Sequence, residues 1–227
     1  SALIREEGGV GMPVERGAPA PSAVPGGAAV PGGAVPGRAR VQQRAHLTLC
    51  ATCGVEAADP PPAVCPICDD ERQFVPADGQ VSTTVGELAV SGRSIEMAEV
   101  EPGLHSLRTQ PRTGIGQTCY LTTASGAVAG ADASAPSTAG GLLFDVPPFI
   151  DDDAVEAVAE RGGVGAIVAS HPHMYGLQLE WSRAFDDAPI LVSRKDAAWV
   201  QRLGPAIELY DDEAEPLPGV RVRQVGG

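Results

Sequence analysis

The chain has 227 residues, 43% of them hydrophobic but only 4% aromatic, so a sizeable core must be built mostly from Ala, Val, Leu and Ile. Its formal net charge of −13 at pH 7 repels phosphate backbones and argues against nucleic-acid binding by the main domain. No apolar run approaches the roughly 20 residues of a membrane span, no basic start leads into an apolar secretory segment, and four of the five cysteines fall in two Cys-x-x-Cys pairs, which fits metal binding in a reducing cytoplasm better than a disulfide framework.

Residues 1–45 are rich in Gly, Ala and Pro and repeat Val-Pro-Gly-Gly-Ala at 24–28 and 30–34. Such a stretch buries too little apolar surface to offset chain entropy and is expected to be a disordered tail. Residues 46–80 form a cysteine-rich module in which Pro60-Pro61-Pro62 marks an exposed loop. Residues 81–112 carry no clear pattern beyond a short helix over 84–89. A strand is expected over 117–123 with Cys119 and Leu121 on one face, then an extended loop over 125–140 and a strand over 142–146. Asp151 or Asp152 caps a helix whose Val155, Val158 and Ala159 share a face, and Gly162-Gly163 stops it. The nearly all-apolar run 164–170 reads as a strand buried on both faces. A helix over 177–185, a strand over 190–193, a helix over 196–203 closed by Gly204, and strands over 207–210 and 220–225 follow. Strands alternating with helices predict an α/β layer architecture. The start at Ser1 without Met and the end at Val225-Gly226-Gly227, straight after a strand-like run, read as cut ends.

Two constellations carry chemistry. Cys50-x2-Cys53 and, after an 11-residue gap, Cys65-x2-Cys68 offer four thiolates, enough to close a tetrahedral site. Gly54 allows a tight turn after Cys53, and Pro66 stiffens the second pair. Zinc in a structural role is favoured, because a module of about 35 residues has little core of its own; an iron site of rubredoxin type is the alternative. His171-Pro172-His173 follows directly on the buried strand, where ligand sites collect in α/β sheets. In extended chain residues i and i+2 point the same way, so both imidazoles can reach one cation.

From about residue 46 onward the chain resembles the metallo-β-lactamase-fold hydrolases that carry a small zinc ribbon at the front. The resemblance rests on four stretches, 65–75, 141–146, 170–175 and 180–185, and on their order. It implies an αββα metallo-β-lactamase-like sandwich, of which 81–227 is an N-terminal portion, preceded by the zinc ribbon and the tail. It also implies hydrolysis of an ester, thioester, lactone or related bond of a small-molecule substrate by metal-bound hydroxide. His171 and His173 match the first two ligands of the family's HxHxDH motif, and Asp145 matches an acid that supports the site without binding metal. Tyr175 stands where the family has Asp and Gly176 where it has His, so the second metal loses both ligands and the hydrolytic site is partial. Tyr175 can then serve as a proton donor or orienting group, or simply as packing.

Other residues are read more plainly. Cys119 is expected to be buried and inert, His46 exposed, His105 in a turn without a partner, and Glu180 solvated. Asp151–Asp153 form a helix cap, 211–215 an exposed acidic turn, and Trp181 and Trp199 core anchors. The competing function is a noncatalytic zinc-binding scaffold or partner-binding protein with a degenerate hydrolase-like domain, and a third option is an iron electron carrier.

Overall fold

The computed structural model of the chain describes residues 43–69, 75–123 and 140–225. The expected tail over 1–45, apart from its last three residues, and the expected loop over 125–140, apart from its last residue, lie outside the described residues. Strands β1 (Thr48–Cys50) and β2 (Ser82–Thr84) pair antiparallel at the two ends of the cysteine module. Thr84 then starts helix α1 (Val85–Val90). Its hydroxyl accepts from the Glu87 N–H while the Glu87 carboxylate accepts from the Thr84 N–H, a reciprocal box that fixes the helix start.

Residues 81–112 hold the longest hairpin, β3 (Ser94–Glu101) against β4 (Leu104–Gln110), turned at Gly103 with φ +78°. Its signal is the alternation of Ile95 and Met97 with glutamates, weak because β3 is an edge strand exposed along much of its length. The hairpin places His105 buried in β4, not in a turn. Then follow β5 (Cys119–Thr122), β6 (Gly141–Phe144), β7 (Val164–Val168), β8 (Ile190–Ser193) and β9 (Ile207–Tyr210). The seven strands form one sheet in the order β3-β4-β5-β6-β7-β8-β9, antiparallel from β3 to β6 and parallel from β6 to β9. The fold is thus mixed α/β, dominated by sheet, with short helices in the crossovers.

Helix α2 (Asp152–Ala159) joins β6 to β7, and α3 (Gln178–Ala184) joins β7 to β8. Asp151 caps α2 by accepting from the Ala154 N–H at 2.7 Å, and Gly163 donates back to the Val158 carbonyl beyond its end. The buried stripe of α2 is Ala154 and Val158; Val155 is half-buried and Ala159 exposed, which corrects the predicted face. The second carboxylate oxygen of Asp151 accepts from the Ile95 N–H of β3, which pins the start of the helix and sets its rotation.

The segment predicted as a helix over 196–203 is a 3-10 turn, Arg194–Trp199, after which Val200 is extended. It has no apolar face to bury: Trp199 is 38% and Leu203 82% exposed, so Trp199 is not a core anchor. Trp181 is one, fully buried with its Nε1–H donating to the Phe149 carbonyl at 3.2 Å. The expected acidic turn over 211–215 instead runs into strand β10 (Glu213–Leu217), paired antiparallel with β11 (Val220–Arg223).

Both faces of the sheet are covered, which accounts for the continuous apolar run in β7. On one face Leu143, Ile167, Ile190 and Val192 join a core with Trp181, Leu179 and the cysteine module's Val55 and Ile67. On the other, Leu142, Ala166, Val168 and Leu191 pack under Leu217 and the partly buried Val220 and Val222 of the β10–β11 hairpin.

Candidate metal centre and histidine loop

Two tight turns bring the four sulfurs together. Gly54, at φ +81°, lets the first turn close so that its N–H bonds the Cys50 carbonyl at 2.7 Å; a Cβ there would meet Pro148 Cβ at 2.6 Å. In the second turn the N–H groups of Cys68 and Asp69 both donate to the Cys65 carbonyl, at 3.1 and 3.0 Å. The Sγ atoms of Cys50 and Cys68 are 3.8 Å apart, those of Cys53 and Cys65 3.9 Å, and all four lie within 4.8 Å of one another. A tetrahedron with metal–sulfur bonds of about 2.3 Å has edges of about 3.8 Å. The donor set therefore fits a metal ion such as zinc. All five cysteines are free thiols.

Without a cation the sulfurs oppose one another. Hydrogen bonding from Cys53 holds the Cys50 thiol far below its ordinary value, and the same contact drives Cys53 far above it. A divalent cation removes that conflict by favouring thiolate at every position. Cys119 lies apart from the cluster and is buried as expected; burial, reinforced by Asp145, pushes its thiol well up.

The histidine loop starts where β7 ends. Asp145, in the left-handed region at φ +60°, ends the neighbouring β6, and its Oδ1 accepts from the Ser170 N–H at 2.7 Å. Ser170 Oγ in turn lies 3.1 Å from His171 Nδ1. Residues Pro172–Met174 form a 3-10 turn, not the extended chain expected from the sequence. The turn nevertheless brings the two rings together, with centroids 5.5 Å apart and planes inclined at 45°. No third His, Cys, Asp or Glu joins them in a metal-sized cluster among the described residues. His171 and Tyr175 border a cleft of about 650 Å³ at the C-terminal ends of the parallel strands, walled by Phe144, Ser193, Tyr210 and the β10–β11 hairpin. Tyr175 is almost fully buried; burial, then Asp196 and Tyr210, raises its phenol above the usual value, so it keeps its proton at neutral pH.

The backbone at residue 176 accepts only glycine. It adopts φ +48°, and a Cβ would stand 2.2 Å from the Val146 carbonyl oxygen and 2.7 Å from that of Pro147. No histidine fits there without moving the backbone after β6.

The cysteine module is bonded to this loop. The Glu56 N–H donates to the Gly176 carbonyl at 2.9 Å, and the Glu56 carboxylate accepts from the Leu179 N–H at 3.2 Å. Arg202 bridges Glu56 and Glu180, and Glu180 also pairs with Arg44 at 3.2 Å and Arg183 at 2.7 Å. Burial pushes the Glu56 carboxyl up to about 7 against the pull of Arg202. Glu180 is therefore a buried ion-pair hub, not a solvated residue. The partners lie 22 to 146 residues apart along the chain, apart from the local Arg183 pair. Only the burial of two acids on apolar elements could have hinted at them. His46 is exposed.

The chain is 34% identical over 183 residues to the uncharacterized protein YmaE of Bacillus subtilis, an alignment that covers 79% of this chain and 62% of that protein. The chain thus spans less than two thirds of that relative's length. No protein-family profile and no solved structure matches it. No helix among the described residues is long and apolar enough to cross a membrane.

Because the sulfur cluster and the histidine pair are separate constellations, His171→Ala should leave a tightly held metal in place. Metal analysis after dialysis is expected to give the same content, about one ion per chain, in the variant and the parent. A loss with the histidine would merge the two sites into one.

Proposed function

We propose that the chain carries the front part of a metal-dependent hydrolase of the metallo-β-lactamase superfamily, with a structural zinc at Cys50, Cys53, Cys65 and Cys68 and part of a hydrolytic centre at His171 and His173. The observation that carries this reading is the closeness of the two imidazole rings, 5.5 Å apart after the end of the central parallel strand, with His171 lining a cleft of a size that takes small molecules. The β10–β11 hairpin packed on the second sheet face fits the beginning of the other half of an αββα sandwich. Free thiols are consistent with the cytoplasm.

His171 and His173 would supply two ligands to a metal ion, which, once a further ligand completed the site, would provide Lewis acidity that lowers the pKa of bound water to about 7. The chain's own residues prepare the ligands. Ser170, itself held by Asp145, is placed to accept from His171 Nδ1–H, which leaves the lone pair on Nε2. Tyr175 borders the cleft beside His171, where its hydroxyl would orient a bound group; its raised pKa makes it a weak proton donor. The bond attacked is an ester, thioester, lactone or related linkage.

The second reading, a noncatalytic zinc scaffold, is favoured by Gly176, whose backbone leaves no room for the family's histidine, and by Tyr175 in place of the acid. Metal titration separates the two. On the hydrolase reading the chain takes up zinc only weakly beyond the first equivalent, and His171→Ala and His173→Ala each abolish that uptake. With two imidazoles where a catalytic zinc uses three protein ligands, ester and lactone hydrolysis by the 227-residue chain is expected near background. Equal uptake by parent and variants would favour the scaffold.

A further inference from the structure

The cysteine centre sits at one end of a short hairpin whose return arm reaches the histidine loop. Cys50 N–H bonds the Val55 carbonyl at 3.0 Å, Ala57 N–H bonds the Thr48 carbonyl at 2.9 Å, and Leu49 bridges Glu56 across the arms. The turn joining these arms runs through Cys50 and Cys53, two of the four sulfur donors, so whatever holds the sulfurs together also sets where Glu56 lies. Glu56 is 1% exposed, and it grips the far end of the histidine loop twice. Its N–H takes the Gly176 carbonyl, and its carboxylate takes the first free N–H of α3, at Leu179. On the opposite side the loop is tied to the segment after β6, with Val146 N–H to the Met174 carbonyl at 3.0 Å and Leu177 N–H to the Pro147 carbonyl at 3.2 Å. That segment is itself in contact with the module, since Gly54 lies against Pro148. The loop bearing His171, His173 and Tyr175 is therefore clamped between the end of β6 and the cysteine hairpin.

We propose that Glu56 is a positioning residue through which the four-cysteine centre holds the histidine loop, so that metal occupancy at the sulfurs sets the geometry at His171 and His173. The clamp itself stands without any hydrolytic role. Its consequence for a second metal rests on the function proposed above, and the experiment keeps the two apart.

The test is amide hydrogen exchange on the full zinc-loaded chain, read at Leu179, Glu56 and, as control, Ile167, whose N–H bonds the Pro189 carbonyl in the sheet. Glu56→Ala is expected to speed exchange at Leu179 at least tenfold, with zinc content and Ile167 protection unchanged. Glu56→Gln, which keeps an acceptor for the Leu179 N–H, is expected to restore most of the protection. Removing zinc from the parent with a chelator is expected to speed exchange at both Leu179 and Glu56 before Ile167. Unchanged exchange at Leu179 in Glu56→Ala, or simultaneous loss at all three sites on zinc removal, overturns the proposal. Cobalt titration of the same proteins reads the second site: a weakened second equivalent in Glu56→Ala, rescued in Glu56→Gln, extends the coupling to the histidines. If the parent binds no second equivalent, the hydrolase reading fails while the exchange result still decides the clamp.

Discussion

Cys65→Ser is expected to release the bound zinc and to lower the stability of the whole described domain, not of the cysteine module alone. Structural zinc contributes apparent binding energy of about 10 kcal/mol or more to small modules at neutral pH. Here the sulfurs Cys50, Cys53 and Cys68 belong to the same apolar cluster as Val146, Tyr175, Leu177 and Trp181. Opening the module would expose that cluster and strand the Glu56 and Glu180 carboxylates with their arginines. The expected cost is about 4 kcal/mol or more, a fall in Tm of about 10 °C for a domain of this size. Thermal denaturation with metal analysis on the same samples checks it. A variant that keeps its zinc, or loses zinc without a change in Tm, would show that the sulfurs are not structural.

Gly176→Ala is expected to cost a similar amount by a different mechanism. The left-handed backbone at this residue costs a substituted side chain about 1–2 kcal/mol. Steric overlap costs more, because the added Cβ would stand 2.2 Å from one backbone carbonyl and 2.7 Å from the next. Neither atom can swing away as a side-chain tip can. Relief requires moving either the segment after β6 or residue 176 itself, whose own carbonyl receives the Glu56 N–H. A loss of about 4 kcal/mol, seen as a lowered denaturation midpoint with unchanged zinc content, is the predicted result. Tolerance of alanine would mean that the loop has room for a ligand at this position.

Local chemistry is legible in the sequence, and long-range chemistry is not. The two Cys-x-x-Cys turns are each made by adjacent residues, and the start of α1 at Thr84, the cap at Asp151 and the stop at Gly162-Gly163 are read within one turn of helix. The strand leading into His171 is visible because burial on both faces leaves an unbroken apolar run. The β3–β4 hairpin escapes such a reading because an edge strand shows only a faint alternation, and β10 because its glutamates face solvent while only Leu217 is fully buried. The buried ion pairs of Glu56 and Glu180 depend on arginines brought in from distant elements, so no window of sequence contains them. The histidine pair follows from the sequence for a reason that the backbone corrects: a 3-10 turn, not an extended strand end, sets the rings side by side.

X-ray absorption at the zinc edge tests most directly whether the sulfurs and the imidazoles hold separate ions. With one equivalent of zinc, a shell of four sulfurs at about 2.3 Å is expected. With a second equivalent, added imidazole nitrogens at about 2.0 Å are expected, and they should vanish in His171→Ala. A first equivalent bound by nitrogen or oxygen, or a second that brings no imidazole, would contradict that division of labour.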